Sequence, residues 1–356
     1  MISRRRLLSS LLPLAAVAWC RGGEALQPEA EAFADRTTFS MDTVVSFRVY
    51  GPTGEQAKKW IDLAQEEMNR LAGLMTVHSD ASPLLDVIRN SGREVEVPQE
   101  TAEDVSAALA VARDSDGAFE PTIGKVVDVW KIGFGGKSVP PKEKIEEALK
   151  YVDWKRVRVS ERDGLHFIRI APGQDIDMGG IAKGDIGTRL ARYLESLGAK
   201  RALLNLGGNV VLLGAAPGGK PWRIGLQHPR EERNGFFAVL EAESESVITS
   251  GAYERNIEAG GKTYGHILSP KTGYPVETDL SSVTIVDRDG AKADAWCTAL
   301  FALGGKRARE VLSRRGDLNA VLMSADCTTV WMTEGIAARC VVTDPEVMER
   351  VVIPRR

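Results

Sequence analysis

The spacing of apolar positions changes several times along the chain, and each change marks an element. Val45, Phe47 and Val49 alternate, as in a half-buried strand that ends at Gly51-Pro52. Ala57, Trp60, Ile61, Ala64, Met68 and Leu71 then recur at spacings of three and four, the mark of an amphipathic helix. Thr101 is expected to open a second helix, with Asp104 as a weaker capping-box partner and Val105, Ala108, Leu109 and Ala112 as its apolar face. Ile145, Ala148, Leu149 and Val152 suggest a third, and Ile186, Leu190, Tyr193, Leu194 and Leu197 a fourth. Residues 203–206 and 210–213 look like buried strands around the turn Gly207-Gly208. Residues 294–303 form a helix stopped by Gly304, and residues 308–315 another stopped by Gly316. Strands follow around 320–324, 328–332 and 337–342. Helices and strands mix without a regular beat, which predicts an α+β fold and not a doubly wound sheet.

Composition narrows the function classes. A chain of 356 residues can bury a large core, either as one elaborate domain or as two fused lobes. With 43% hydrophobic and 27% charged residues it is not mostly disordered, and a net charge of -3 offers no basic excess for nucleic acid. Four cysteines are too few for a disulfide scaffold. The 35 glycines sit largely in short clusters, which suit backbone brought close to a ligand, although tight turns alone also use them.

The N-terminal segment reads as an address. Arg4, Arg5 and Arg6 precede an apolar run over residues 7–19, too short to span a bilayer comfortably. This is either a twin-arginine signal or an ordinary secretory one with three arginines. Cys20 closes the run where a bacterial lipoprotein carries its acylated cysteine; cleavage after Ala18 or Ala25 is the alternative. The expected organisation is an export signal over 1–25, a tether over 26–38, one domain over 39–345 and a tail over 346–356. The expected location is exported and periplasmic; whether a lipid at Cys20 anchors the chain stays open, and any membrane contact would be through that lipid alone.

Five clusters carry candidate chemistry. Asp294 and Thr298, four apart on a helix, put a carboxylate and a hydroxyl on one face, as a hard cation such as Mg²⁺ requires; a solvated face or a cap is the plainer alternative. Asp177-Met-Gly179-Gly180-Ile-Ala-Lys183-Gly184 leads into a helix whose N-terminus, with Lys183, suits phosphate. Its spacing is neither a P-loop nor a Rossmann fingerprint, and a tight turn with a surface lysine explains it equally well. His266 sits in a loop fixed by Pro270 and Gly273, either as a chemical group or as a structural histidine. Phe119-Glu120-Pro121-Thr122-Ile-Gly124 and Thr249-Ser250-Gly251-Ala-Tyr253-Glu254-Arg255 are further polar and glycine clusters.

Taken in order, MDT, FEPTIGKVVDVWKIGF, IDMGGIAKGD, LLNLGGNVVLLG, TSGAYER, HILSPKTGYP and ADAWCTALFALG resemble the flavin transferases of the ApbE family, the FAD:protein FMN transferases. The resemblance runs from about Met41 to the C-terminal strands. It implies a two-lobed α+β domain with FAD in the inter-lobe cleft, and Mg²⁺ held by Asp294, Thr298 and the main-chain carbonyl of Gly180. FAD contacts carry over to Met41, Ala118, Phe119, Glu120, Asp177, Lys183 and Ile267, and to His78, which stands where the family has a tyrosine. His266 is the candidate for proton handling. The implied reaction is displacement at phosphorus: a Thr or Ser hydroxyl of an acceptor flavoprotein takes FMN, and AMP leaves. The chain departs from the family at Asp42 and Asn209, where glycine and aspartate are usual, and after Ser82. A periplasmic FAD pyrophosphatase and a non-catalytic FAD-binding lipoprotein are the competing readings.

Overall fold

The computed structural model describes residues 31–231, 235–251, 253 and 255–355. The expected export signal, with Arg4 to Arg6 and Cys20, lies outside the described residues, as do Ala252 and Glu254.

The alternation at Val45, Phe47 and Val49 becomes β2 (Thr43–Tyr50), with all three side chains fully buried. It pairs antiparallel with β1 (Phe33–Ser40), and the Ser40–Thr43 register leaves a two-residue turn. Met41 (φ 51°) and Asp42 (φ 56°) are both left-handed, as a type I′ hairpin turn demands. Aspartate is one of the few side chains that tolerate this region, so Asp42 keeps the turn that the family makes with glycine. The tether therefore ends earlier than expected. Residues 33–38 belong to a strand whose only buried residue is Ala34, so its pattern reads as polar.

The predicted helices follow. Helix α1 (Gly54–Met75) buries Ala57, Trp60, Ile61, Ala64, Met68 and Leu71, and Thr53 caps it by accepting the Gln56 N–H at 3.1 Å. After α2 (Pro83–Arg89) and β3 (Glu94–Val97), α3 (Gln99–Asp114) starts two residues before Thr101. The capping box does not form: Thr101 is buried inside the first turn, and Asp104 turns to Arg189 at 3.0 Å. Helices α4 (Gly124–Trp130) and α5 (Lys142–Leu149) lead to the hairpin of β4 (Arg158–Arg162) and β5 (Leu165–Arg169), which joins β3 in a small sheet.

Next come α6 (Ala182–Ser196), β6 (Arg201–Leu206), β7 (Asn209–Leu213), β8 (Trp222–Gln227), β9 (Phe236–Ala242) and β10 (Ser246–Gly251). The hairpin β11 (Asn256–Ala259) and β12 (Lys262–Gly265) precedes β13 (Leu280–Asp287) and α7 (Gly290–Arg314). Gly304, the expected stop, breaks α7 with φ 75° and ψ 164°. The chain closes with β14 (Asn319–Ser324), β15 (Thr329–Thr333), α8 (Glu334–Ala337), β16 (Cys340–Val342) and β17 (Glu349–Ile353). The tail expected over 346–356 thus contributes a strand, β17, parallel to β15.

One sheet organises the molecule, in the order β1-β2-β6-β7-β10-β13-β14-β15-β17, antiparallel except for its last pair. Its central strands serve two cores. Val283, Ile285, Ala320 and Leu322 pack with α1, α6 and α7, while Val286, Val321 and Met323 pack with β8, β9 and β16. A third cluster joins α4, α5 and the β11–β12 hairpin around Trp130 and Ile145.

Helices α6 and α7 cross at glycine. A Cβ on Gly184 would lie 2.0 Å from the carbonyl oxygen of Gly290, and one on Gly290 would lie 2.1 Å from that of Gly184. Thr188 ties the crossing by donating to the Gly184 carbonyl at 3.0 Å and accepting the Gly290 N–H at 3.0 Å. Neither contact involves a flexible side chain that could yield. Gly184→Ala should therefore destabilise the chain by about 1–3 kcal/mol or more in chemical denaturation. Gly73→Ala, in a helix and with nothing near the added carbon, should instead stabilise by about 0.5–1 kcal/mol. Equal denaturation midpoints for the two variants would contradict the crossing as described.

Candidate active site

The crossing of α6 and α7 puts the start of one helix beside the second turn of the other. Gly184 donates its N–H to Asp294 Oδ2 at 2.9 Å, and Asn209 Nδ2 reaches the same oxygen at 3.3 Å. Asp294 is only 4% exposed, and among the described residues both of its hydrogen bonds fall on Oδ2, leaving Oδ1 for another partner. Thr298 follows one turn later. A Cβ on Gly180 would stand 3.4 Å from Thr298 Oγ1 and 3.0 Å from the Phe119 ring, so only glycine brings the main chain this close without crowding. A carboxylate, a hydroxyl and a stretch of main chain thus converge from two elements.

These groups form one wall of a cavity of about 870 Å³, in the upper range for small-molecule sites. The β1–β2 turn, the 118–124 loop, the glycine-rich turn before α6 and the His266 loop complete it. All twelve residues singled out in the sequence line it: Met41, His78, Ala118, Phe119, Glu120, Asp177, Gly180, Lys183, His266, Ile267, Asp294 and Thr298. Among the described residues, no group of three or more His, Cys, Asp or Glu side chains could hold a metal by itself. A cation here would draw on the Asp294 carboxylate, the Thr298 hydroxyl, main chain and ligand phosphates. That oxygen-only set fits a hard ion such as Mg²⁺ and not a soft one.

The individual side chains differ in how far they are committed. Glu120 is buried, with Oε1 accepting from Thr122 N at 2.9 Å and Thr122 Oγ1 at 2.7 Å, and Oε2 from Trp154 N at 3.1 Å. Its carboxylate braces the loop, and burial pushes its pKa up against those bonds. Asp177 accepts the Gly179 N–H at 2.6 Å. Burial raises its pKa first and the nearby Asp128 second, with the Gly179 bond, His78 and Lys183 pulling the other way. Asp175, beside it, is pushed up to about 6 mainly by burial. Lys183 occupies the first turn of α6, where the helix dipole adds to its own charge toward an anion.

His266 is held by main chain. Its N–H donates to the Arg255 carbonyl at 3.1 Å, and Nδ1 meets the same oxygen at 3.2 Å. A carbonyl can only accept, so Nδ1 carries the proton and Nε2 keeps its lone pair. Burial, then Lys183 and Arg255, lower its pKa to about 4, so the ring is neutral at pH 7.

The sequence reading missed several lining residues. Asn209 was noted only as a departure, yet its amide donates to Asp294, where an aspartate would place a second negative charge. Asp128 and Phe134 also line the cavity. Arg255, quoted only as the end of a motif, lies 5.2 Å over the Phe134 ring and donates from Nη2 to the Asp42 carbonyl at 3.2 Å. His78 meets Phe134 with ring centroids 6.1 Å apart. No local spacing announces these contacts, which join segments distant in the chain.

Comparison with known proteins follows the same segments. The ApbE family model matches residues 41–322. An FAD:protein FMN transferase of Klebsiella pneumoniae (strain 342) is 36% identical over 258 residues, covering 72% of this chain and 79% of the relative. One of Treponema pallidum (strain Nichols) is 33% identical over 304 residues, covering 81% and 82%. A crystal structure of the ApbE protein of Thermotoga maritima matches with a TM-score of 0.77 at 31% identity, over 85% of this chain and 97% of that one. The match begins at Met41, at the tip of the first hairpin, and runs past Thr298, so it takes in every wall of the cavity, and this chain belongs to the ApbE family.

Proposed function

We propose that the chain transfers the FMN half of FAD to a Thr or Ser hydroxyl of an acceptor flavoprotein, with release of AMP and in need of Mg²⁺. The observation that carries this reading is the convergence of Asp294, Thr298 and Gly180 in one cavity with Lys183 and a neutral His266. The likeness to FAD:protein FMN transferases supports the substrate and the transfer. Export to the periplasm, with Cys20 as a lipid anchor, belongs to the same proposal and rests on residues 1–25 alone. No helix among the described residues is long and apolar enough to cross a membrane.

Asp294, Thr298 and the Gly180 carbonyl would hold Mg²⁺, which when bound supplies Lewis-acid neutralisation of the pyrophosphate oxygens. Lys183 adds a positive charge from the start of α6, where phosphoryl transfer gathers negative charge. His266 offers the Nε2 lone pair to the acceptor hydroxyl as the new oxygen–phosphorus bond forms. With Nδ1 bound to the Arg255 carbonyl, that proton can go only to Nε2. Asn209 and the Gly184 N–H hold Asp294 in place.

Four measurements test the parts. Asp294→Asn keeps an acceptor for Gly184 and removes the charge; turnover should fall by about a hundredfold or more. Full turnover in that variant, or in the presence of a chelator, would rule out this cation site. Incubation of the parent with FAD, Mg²⁺ and a flavin-free acceptor should yield covalently yellow acceptor, whereas free FMN alone would mean hydrolysis. Lys183→Met removes charge at nearly constant length and should cost about ten- to a hundredfold in FAD affinity, turnover or both, with thermal stability little changed.

The fourth measurement concerns pH. His266 takes up a proton at pH 6.5 in the unfolded chain but only near 4 in the folded one, so stability falls as pH drops through that window. His266→Asn has no such group. The stability gap between parent and variant should therefore shift in favour of the variant between pH 7 and pH 5. A gap that stays constant with pH would show that the ring is not buried as a neutral group.

A further inference from the structure

The first strand of the large sheet is an open edge that leads into the cavity. Among the described residues nothing pairs with the far side of β1, and its turn residues Met41 and Asp42, with Thr43, line the cavity. The direction of its main chain follows from one contact. Gly51 donates its N–H to the Ala32 carbonyl at 2.9 Å, and hydrogen-bonded pairs recur at every second residue of an antiparallel ladder. Ala34, Arg36, Thr38 and Ser40 therefore bond to β2, while Asp35, Thr37 and Phe39 direct N–H and C=O to the open side. Their side chains share the face that α1 does not cover, since Arg36 and Ser40 reach back to Asp62 and Asn69 of α1.

This edge lacks the usual protection. Its eight residues contain no proline, lysine or glycine, and their pairing with β2 has no bulge. The charge of Asp35 is matched by Arg48, which donates two hydrogen bonds of 2.7 Å to it. At the cavity end stand Phe39, 70% exposed, and its cross-strand partner Val44, 48% exposed. The opposite edge, β17, has five residues, begins with the charged pair Glu349-Arg350 and runs into Pro354.

We propose that the hydroxyl-bearing segment of the acceptor protein docks as an added strand on β1, with an apolar side chain against Phe39 and Val44. This rests on the transferase reading above. A strand added here gains main-chain hydrogen bonds at Asp35, Thr37 and Phe39 whatever its sequence, and the apolar pair sets its register. Its end arrives at the β1–β2 turn, beside the cavity in which phosphorus is attacked.

Thr37→Pro tests it. The Thr37 N–H is not used by β2, so proline removes an edge donor without breaking the hairpin ladder. The probe is an unflavinylated acceptor domain with one modifiable threonine, produced in cells that lack a flavin transferase. In the full chain, Thr37→Pro should raise the KM for this domain by about tenfold or more, with FAD affinity and melting temperature unchanged. Thr37→Ala, which keeps the donor, should stay within about twofold of the parent, whereas Phe39→Ser should weaken the domain's KM as the proline does. Addition of the domain should also slow amide exchange at Asp35, Thr37 and Phe39 in the parent chain, a readout that needs no variant to fold. Transfer by Thr37→Pro at the parent's KM overturns the docking mode alone. Slow exchange at these amides before any acceptor is added overturns it too, because the chain's own first thirty residues would then cover the edge. A parent chain that never modifies the domain overturns both this proposal and the transferase reading.

Discussion

Two helices meet with their backbones in van der Waals contact because both present glycine at the crossing, and the geometry of the cavity follows from that approach. Gly184 and Gly290 each sit where a single added carbon would collide with the other's carbonyl oxygen. Thr188, hydrogen-bonded to both residues and 3.3 Å from Ser246 of β10, registers the pair against the sheet. With that distance fixed, the Gly184 N–H meets Asp294, one turn further Thr298 meets Gly180, and Lys183 is carried along on the same helix start. A larger residue at either glycine would separate the oxygen donors before it altered any of them chemically. The site is thus a consequence of packing, and its precision is that of the core beneath it.

The electrostatics of the cavity are arranged around opposed charges. Burial first, and with it the charge of the neighbouring Asp128, raises the pKa of both Asp175 and Asp177. Lys183 and Arg255 also line the cavity, and burial first, then the charges of both, disfavour a proton on His266. A buried imidazole near two cations stays neutral at pH 7 and is left as an acceptor. The same cations favour a ligand with a pyrophosphate. In the proposed reaction one arrangement would serve both needs: positive charge for the anion and a deprotonated ring for the hydroxyl.

How much of this was legible depends on the range of the interactions involved. Helix faces such as Ala57 to Leu71, and the break at Gly304, follow from local spacing and backbone freedom, and they were read correctly. The clusters around Asp177 and His266 are also visible, because glycine and proline mark turns wherever they fall, and Asp294 with Thr298 is visible from helical spacing. What escaped depends on partners far along the chain. Strand β1 has one buried residue and is a strand only because β2 lies beside it. Strand β17 is fixed by β15, to which it runs parallel. Thr101 looked like a cap because Asp104 follows at the right spacing, but Asp104 instead pairs with Arg189 of α6. Asn209 and Arg255 gained a place in the site only through contacts with Asp294 and with the hairpin tip.

The candidate for proton handling, His266, sits on a loop, and loops are ordinarily the mobile part of a fold. Here the loop is pinned from beneath. Trp130, almost fully buried, donates its indole N–H to the Gly273 carbonyl at 2.7 Å. Gly273 has φ 70° and no room for a side chain, since an added Cβ would lie 2.5 Å from Ile145. That anchor fixes the turn through Pro270, while Val276 donates back to the Ile267 carbonyl at 2.9 Å beside the histidine. From the other side the Arg255 carbonyl takes both the main-chain N–H and the ring N–H of His266. Many catalytic histidines are oriented by a buried carboxylate, which also raises their basicity. This one is oriented by a neutral carbonyl, so its tautomer is set while its pKa stays low, and in the proposed reaction its ability to accept a proton would have to come from the charge that gathers on the ligand in the transition state.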